Sequence, residues 1–268
     1  MIEFKKPIGV FDSGLGGLTV VKALRKKLPN ESIVYLGDTA RVPYGNKSKI
    51  TIQKYSIQIA EFLMKKNVKA IVVACNTVSA LVLQELNRRI QIPIMGVIEP
   101  GVLAAENQSK IKRIGVIGTD ATIQSNAYKN LLISLNTQLK VFSQACPLLV
   151  PLAEDGWVGD DIVKQILIKY LTPLIKESID TLILGCTHYP VFFDLISEII
   201  GPNIKIIDTP SEVANTFFQH LKINNLLSDN KSLGKLECFV TDKTRSYSKI
   251  AETFLGSYLS NLHFTDLI

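Results

Sequence analysis

Two short cysteine motifs carry the sharpest chemical signal in the sequence: Val72-Val73-Ala74-Cys75-Asn76-Thr77 and Leu182-Ile183-Leu184-Gly185-Cys186-Thr187-His188. In each, an apolar strand-like run ends in a small residue, then a thiol, then polar groups. A thiol so placed lies at the carboxyl end of a strand, with a helix start expected behind it. That is where open α/β sheets bind their ligands. Helix-terminal N–H groups stabilise a thiolate, so the thiolate can serve as a base and its conjugate thiol as an acid. Two such thiols from two halves of a chain could face each other across one cleft. A carbon acid deprotonated on one face and reprotonated on the other leaves with inverted configuration.

Other readings of the cysteines are weaker. A lone cysteine is usually a small buried hydrophobe. Cys146 and Cys238 get that reading, since neither has a Gly/polar strand-end context. Cys186-x-His188 lacks partners for a metal, because the other histidines are His220 and His263 and no C-x-x-C occurs. A Cys75–Cys186 disulfide does not suit a reducing compartment. A Cys-His nucleophile competes, but it leaves the second thiol without a role and has no identifiable Asn or Asp to orient it.

Three further segments could serve such a site. Asp12-Ser13-Gly14-Leu15-Gly16-Gly17-Leu18-Thr19 follows a strand and opens a helix, so its backbone N–H groups can hold an anion. It lacks the G-x-G-x-x-G spacing of a dinucleotide loop and the Gly-Lys-Ser/Thr of a Walker loop. A small carboxylate ligand suits it better, with Asp12 in acid/base or orienting work; the alternative is that Asp12 and Ser13 only cap the helix. The loop Gly37–Ser48 contains Pro43-Tyr44-Gly45, either a purely structural turn or one presenting backbone N–H groups and a hydroxyl toward the strand ends. Glu154 interrupts an apolar, proline-containing segment. It is read either as a solvated loop acid or as a partly desolvated carboxyl with a raised pKa suited to proton traffic.

The elements that must position these residues alternate along the chain. Strands are expected at Ile8–Phe11, Ile33–Leu36, Ala70–Val73, Ile94–Ile98, Arg113–Gly118, near Lys140–Phe142, at Thr181–Leu184 and at Ile204–Ile207, with long helices over Ile50–Lys66 and Asp161–Lys176. Continuous apolar runs bounded by turns indicate strands buried on both faces, hence parallel sheets covered by helices. Ile8-Gly9-Val10-Phe11-Asp12-Ser13-Gly14 matches Ile114-Gly115-Val116-Ile117-Gly118-Thr119-Asp120 in outline, and the cysteine motifs follow in the same order, as after an internal duplication. Beyond Asp208 the pattern loosens into Asn-, Ser- and Lys-rich helix and loop, a tail expected to pack back on the first domain.

Composition narrows the function classes. The 268 residues suffice for two moderate domains, and 47% hydrophobic with 20% charged residues is ordinary for a packed α/β protein. The net charge of +6 comes from dispersed lysines; the densest run, Leu24-Arg25-Lys26-Lys27, fits a helix C-terminus. Nucleic-acid binding is therefore disfavoured against a solvated basic surface. No apolar stretch is long enough to cross a bilayer, and the opening residues lack a signal-peptide core, so a cytoplasmic, reducing location is expected.

Together the motifs resemble those of the glutamate racemases in the cofactor-independent aspartate/glutamate racemase superfamily. The matching stretches are Phe11–Val20, Gly37–Gly45, Ala74–Thr77, Gly96–Gly101, Gly118–Thr122 and Gly185–Pro190, in the family's order; Val78 and Ala153 depart from it without replacing a functional group. The resemblance implies an α/β fold of two similar doubly wound domains, with parallel sheets related by pseudo-twofold symmetry and an active site in the interdomain cleft. The first domain would be discontinuous, 1–98 plus 208–268, with 99–207 as the second. Cys75 would take the α-proton of D-glutamate with help from Asp12. Cys186 would take that of L-glutamate with help from Glu154 and His188. Ser13, Pro43, Tyr44, Gly45, Asn76, Thr77, Thr119, Thr122 and Thr187 would hold the substrate. No pyridoxal phosphate, metal or nucleotide is implied, and the product would feed peptidoglycan synthesis. Glutamate is the implied partner and a homodimer is in keeping with the family. Some members inhibit DNA gyrase, a partner for which no motif here speaks.

Overall fold

The computed structural model describes residues 3–242, 247–259 and 261–267. The other residues, which fall in the ranges 1–98 and 208–268 expected for the first domain, lie outside those described. The strands are β1 (Ile8–Asp12), β2 (Ile33–Gly37), β3 (Ala70–Val73), β4 (Ile94–Gly96), β5 (Arg113–Gly118), β6 (Lys140–Ala145), β7 (Thr181–Gly185), β8 (Lys205–Ile207), β9 (Leu236–Val240) and β10 (Leu262–Phe264). The helices are α1 (Leu18–Lys27), α2 (Lys49–Lys65), α3 (Asn76–Leu81), α4 (Leu83–Arg89), α5 (Ile98–Gln108), α6 (Asp120–Gln124), α7 (Ala127–Leu135), α8 (Leu149–Glu154), α9 (Asp161–Lys176), α10 (Phe193–Ile200), α11 (Thr209–Ile223) and α12 (Tyr247–Leu255).

The strands form two all-parallel sheets, ordered β10-β9-β2-β1-β3-β4 and β6-β5-β7-β8. The order β2-β1-β3-β4 in the first is repeated as β6-β5-β7-β8 in the second, as the duplicated sequence outline implies. β1, β2, β3 and β7 are buried along their whole length. That explains their unbroken apolar runs, since helices cover both faces of a parallel sheet. β6 lies at a sheet edge and none of its residues is fully buried. In each sheet the chain order reverses between the first and third strands of the unit, β1 beside β3 and β5 beside β7. Loops leaving such a pair part to opposite sides and open a crevice at the strand ends. Asp12-Ser13 and Cys75 leave one crevice, Thr119 and Cys186 the other.

Two boundaries differ from the sequence reading. β4 stops at Gly96 instead of running to Ile98. Val97 already has near-helical angles (φ −96°, ψ −6°), and Ile98 starts α5 with Pro100 tolerated in the first turn. The tail is not only helix and loop: β9 pairs with β2 from Ile33↔Leu236 to Gly37↔Val240, and β10 pairs with β9. A continuous apolar cluster links β1 and α1 through α11 and α12 to α8, α9 and α10 of the other half.

Candidate active site

The turn after β1 brings the halves together. Asp12 is fully buried, and its Oδ2 accepts hydrogen bonds from the Gly14 and Gly17 amides at 3.3 and 3.0 Å. Its Oδ1 accepts from the Thr187 hydroxyl of the second cysteine motif at 3.4 Å. Asp12 therefore does brace the loop, and it also reaches across the cleft. Burial pushes its carboxyl up, against the nearby His188 and the two amides. A glycine is required at position 16, where a Cβ would stand 2.5 Å from both His188 Nδ1 and Thr187 Oγ1. Thr19, in the first turn of α1, adds a hydrogen bond of 3.2 Å to the Thr187 carbonyl.

Cys75 follows β3 and caps α3. Its Sγ lies 3.5 Å from Ser13 Oγ. Burial and the Asp12 carboxylate push the thiol up to about 12, although Ser13 and the Val78 amide pull the other way. Cys186 follows β7, but Thr187 and His188 lead into a 3-10 turn at Tyr189–Phe192 before α10, not directly into a helix. Its Sγ lies 3.8 Å from His188 Nδ1, and His188 Nε2 lies 2.6 Å from Glu154 Oε1. Burial alone would lower the imidazole's pKa, but Cys186 and Glu154 on its two nitrogens raise it well above its ordinary value. Phe254 of α12 meets the ring edge-on, with centroids 5.3 Å apart.

Glu154 corrects an expectation. Of its two readings, the partly desolvated carboxyl fits its burial better than the solvated loop acid, yet its pKa is lowered, not raised: desolvation pushes it up, but the bond and charge of His188 and the Leu15 amide outweigh it. The sequence shows the apolar segment but not the histidine 34 positions away that pairs with it.

The two thiols line one cavity together with Ser13, Pro43, Tyr44, Gly45, Asn76, Thr77, Thr119, Val150, Thr187 and His188. Besides the thiols, nine of these ten residues are ones the sequence singled out, Val150 being the exception, while Asp12, Glu154 and Thr122 do not line the cavity. Thr77, Thr119 and Thr122 form a hydroxyl triangle across the halves, with separations of 3.0, 3.2 and 2.9 Å. The Asn76 amide donates to the Tyr128 hydroxyl at 2.7 Å. A Cβ on Gly45 would stand 2.5 Å from Thr119 Cβ, so glycine there lets the halves meet. The cavity is about 10 Å³, roughly the space of one water. A depression of about 70 Å³ adjoins it through Pro43, Gly45, Thr119 and Val150. Larger hollows of about 310 and 460 Å³ lie elsewhere and contain neither thiol.

Tyr128 and Phe254 have no local signal as site neighbours, because each comes from a helix whose packing no local pattern reveals, whereas Thr19 closes the glycine-rich segment already singled out. Asp38 does have a sequence signal, an acid directly after β2 and three residues before Arg41. All four cysteines are unbridged thiols. Cys146 and Cys238 are completely buried hydrophobes, as expected. Among the described residues no cluster of His, Cys, Asp or Glu could hold a metal, and no helix is long and apolar enough to cross a membrane.

Comparison with known proteins points the same way. Residues 18–216 match the family model Asp/Glu/Hydantoin racemase. A glutamate racemase of Geobacter metallireducens is 43% identical over 262 residues, covering 98% of this chain and 97% of the relative. The crystal structure of glutamate racemase isoform RacE1 from Bacillus anthracis is 43% identical with a TM-score of 0.94, covering 98% of both chains. That of glutamate racemase from Francisella tularensis, in complex with D-glutamate, is 40% identical with a TM-score of 0.92, also covering 98% of both chains.

Proposed function

The chain belongs to the Asp/Glu/Hydantoin racemase family, and from that membership we propose that it interconverts L- and D-glutamate with two cysteines and no cofactor. The observation that carries the reading is the convergence of Cys75 and Cys186, from equivalent strand ends of two like sheets, on one cavity. An amino-acid α-proton is very weakly acidic, so the site must supply a base and stabilise the carbanionic charge with fixed dipoles. Cys186 as thiolate removes the α-proton of L-glutamate, and Cys75 as thiol delivers a proton to the opposite face. The reverse reaction exchanges their roles. Starting states are thiolate on one side and thiol on the other, and each turnover swaps them.

His188 is suited to support a thiolate at Cys186, being held protonated by Glu154 on its far side. Asp12 acts on Cys75 through its field and on Thr187 by hydrogen bond. Ser13, Asn76, Thr77, Thr119, Thr122, Thr187 and the Pro43-Tyr44-Gly45 turn supply the polar groups that hold the carboxylates and ammonium. Pro43, Tyr44, Gly45 and Ser13 come from the β1–β2 side, Thr119 and Thr187 from the other half. Substrate entry needs the halves to part, since the closed cavity has room for about one water. We place the activity in a bacterial cytoplasm, where it supplies D-glutamate to peptidoglycan synthesis, with residues 1–98 and 208–268 as one domain and 99–207 as the other.

The test is incubation of the purified chain with L-glutamate in deuterated buffer without added cofactor. D-glutamate carrying α-deuterium is expected; absence of both D-glutamate and α-deuterium would sink the reading. Rates on L-aspartate measured alongside would decide the substrate's length, with glutamate expected to be preferred.

A further inference from the structure

The loop between β2 and α2 contains a buried charge that faces no substrate position. Asp38 is fully buried at the end of β2 and lies outside the residues lining the cavity. Its carboxylate collects three side-chain donors. The Tyr44 hydroxyl donates to Oδ2, Thr241 Oγ1 donates to Oδ1 at 2.8 Å, and Arg41 Nε lies 2.9 Å from Oδ1 and 2.7 Å from Oδ2. Its backbone amide donates to the Asp12 carbonyl at 3.1 Å. Arg41 is held in turn, with Nη1 donating to Gln58 at 2.7 Å and the guanidinium 4.0 Å from the centre of the Tyr55 ring. Thr241, just past β9, also accepts the Ala40 amide at 3.0 Å.

These contacts have one thing in common: they hold the segment 38–44 at both of its ends, Asp38 and Tyr44, and at Ala40 and Arg41 between them. The Tyr44 side chain is buried and points back to Asp38, so the hydroxyl is not offered to a ligand. What the turn presents to the cavity is Pro43, the Tyr44 body and Gly45, with Gly45 in close approach to Thr119. Burial and the neighbouring carboxylate push the Tyr44 phenol far up, so it remains a donor. A buried carboxylate with one cation and two hydroxyl donors is satisfied as an ion only while all three stay in place. It therefore penalises any displacement of the turn.

We propose that Asp38 is a positioning residue for substrate binding: through Tyr44, Arg41 and Thr241 it locks the Pro43-Tyr44-Gly45 wall against the Asp12 strand on one side and the C-terminal strand β9 on the other. The proposal rests on the cleft being the glutamate site. The wall carries neither thiol nor the Asp12, Glu154 and His188 groups beside them, so its part is to bind, in ground and transition states alike. Loosening it should raise KM more than it lowers kcat. Racemisation has an equilibrium constant of one, so kcat/KM must fall equally for the two enantiomers.

The experiment is steady-state racemisation of L- and D-glutamate by the unaltered chain, Asp38→Asn, Tyr44→Phe and the double variant. The unaltered chain's activity is the control for the glutamate reading; if it fails, that reading falls first. With it active, each single variant is expected to raise KM about 10- to 100-fold with kcat within about threefold. The double variant is expected to do little more than either single one, because both break the same contact. Unchanged KM in the folded single variants, or a fall in kcat with KM constant, overturns the proposal. Should Asp38→Asn not fold, Tyr44→Phe decides by the same criterion, since it removes one hydroxyl and keeps the ring that packs the turn.

Discussion

Cys75 and Cys186 stand after the corresponding strands of two like-ordered sheets, yet their surroundings differ. Around Cys75 there are a serine hydroxyl and a buried aspartate, and the thiol is pushed up to about 12. Around Cys186 there is an imidazole held well above its ordinary pKa by a carboxylate. Like strand order places the two thiols alike, while their neighbours differ: a serine hydroxyl and a buried aspartate beside Cys75, an imidazole beside Cys186. Burial and Asp12 hold Cys75 toward the thiol form, the form in which it would deliver a proton when L-glutamate is the substrate.

The largest break in the comparison comes from removing either thiol. Cys75→Ala and Cys186→Ala are each expected to lower racemisation by about 10³-fold or more, since each removes the sole acid/base on its face. Appreciable activity in either variant, measured by chiral chromatography, would end the two-base scheme. Next comes the contact that lets the second motif approach the first. Gly16→Ala places a methyl 2.5 Å from His188 Nδ1, and a forced shift of that ring should cost on the order of 10²-fold in kcat. Activity near that of the unaltered chain would show that the close approach is not needed.

Smaller effects sharpen the asymmetry. Because kcat/KM must change equally in both directions, isotope effects reveal which side is impaired. Glu154→Gln is expected to lower kcat roughly 10- to 100-fold and to raise the primary isotope effect more with α-deuterated L-glutamate than with the D enantiomer. Ser13→Ala should do the reverse, with a change of a few-fold, about that of one hydrogen bond. Equal isotope effects in both variants would mean that the auxiliaries do not divide between the thiols.

The smallest effect is on stability. The folded-state pKa of His188 is raised, so its contribution is fully present below its unfolded value of about 6.5 and is lost as pH rises through the folded value. Glu154 is lowered, so its share is present above its unfolded value and lost as pH falls through the folded one. Glu154→Gln should therefore flatten the decline of unfolding free energy on the alkaline side, as read by urea titrations at several pH values. With three histidines in the chain, imidazole NMR can also follow His188, whose titration should move down in this variant. No movement would remove Glu154 as the cause of the raised value.

The parts of this site that could be read from the sequence are those fixed by local pattern. The thiols were visible because a buried parallel strand has an unbroken apolar run, and the small residue and polar groups after it mark the crevice end. Asn76, Thr77 and Thr187 are visible as neighbours of those ends and Ser13 through the glycine-rich turn after β1, while Thr119 comes only from the family resemblance. What escaped depends on packing between distant segments. Glu154 meets His188 only because α8 folds beside the 3-10 turn, and that contact reverses the direction of its pKa shift. β9 escaped because Glu237 interrupts a short run within a polar tail, though its other residues are buried against β2 and its neighbours. Asp38 and Tyr44 read as a polar turn until Thr241, some 203 positions from Asp38, completes the cage.

The most direct test of two thiols on opposite faces is the fate of the α-hydrogen early in the reaction. L-glutamate is incubated in deuterated buffer and both enantiomers are recovered at low conversion. With separate bases, D-glutamate carries α-deuterium while the recovered L-glutamate keeps its protium, because the proton taken by Cys186 is not the one delivered by Cys75. Deuterium entering the recovered L-glutamate as fast as D-glutamate forms would contradict it, for a single base would then be serving both faces.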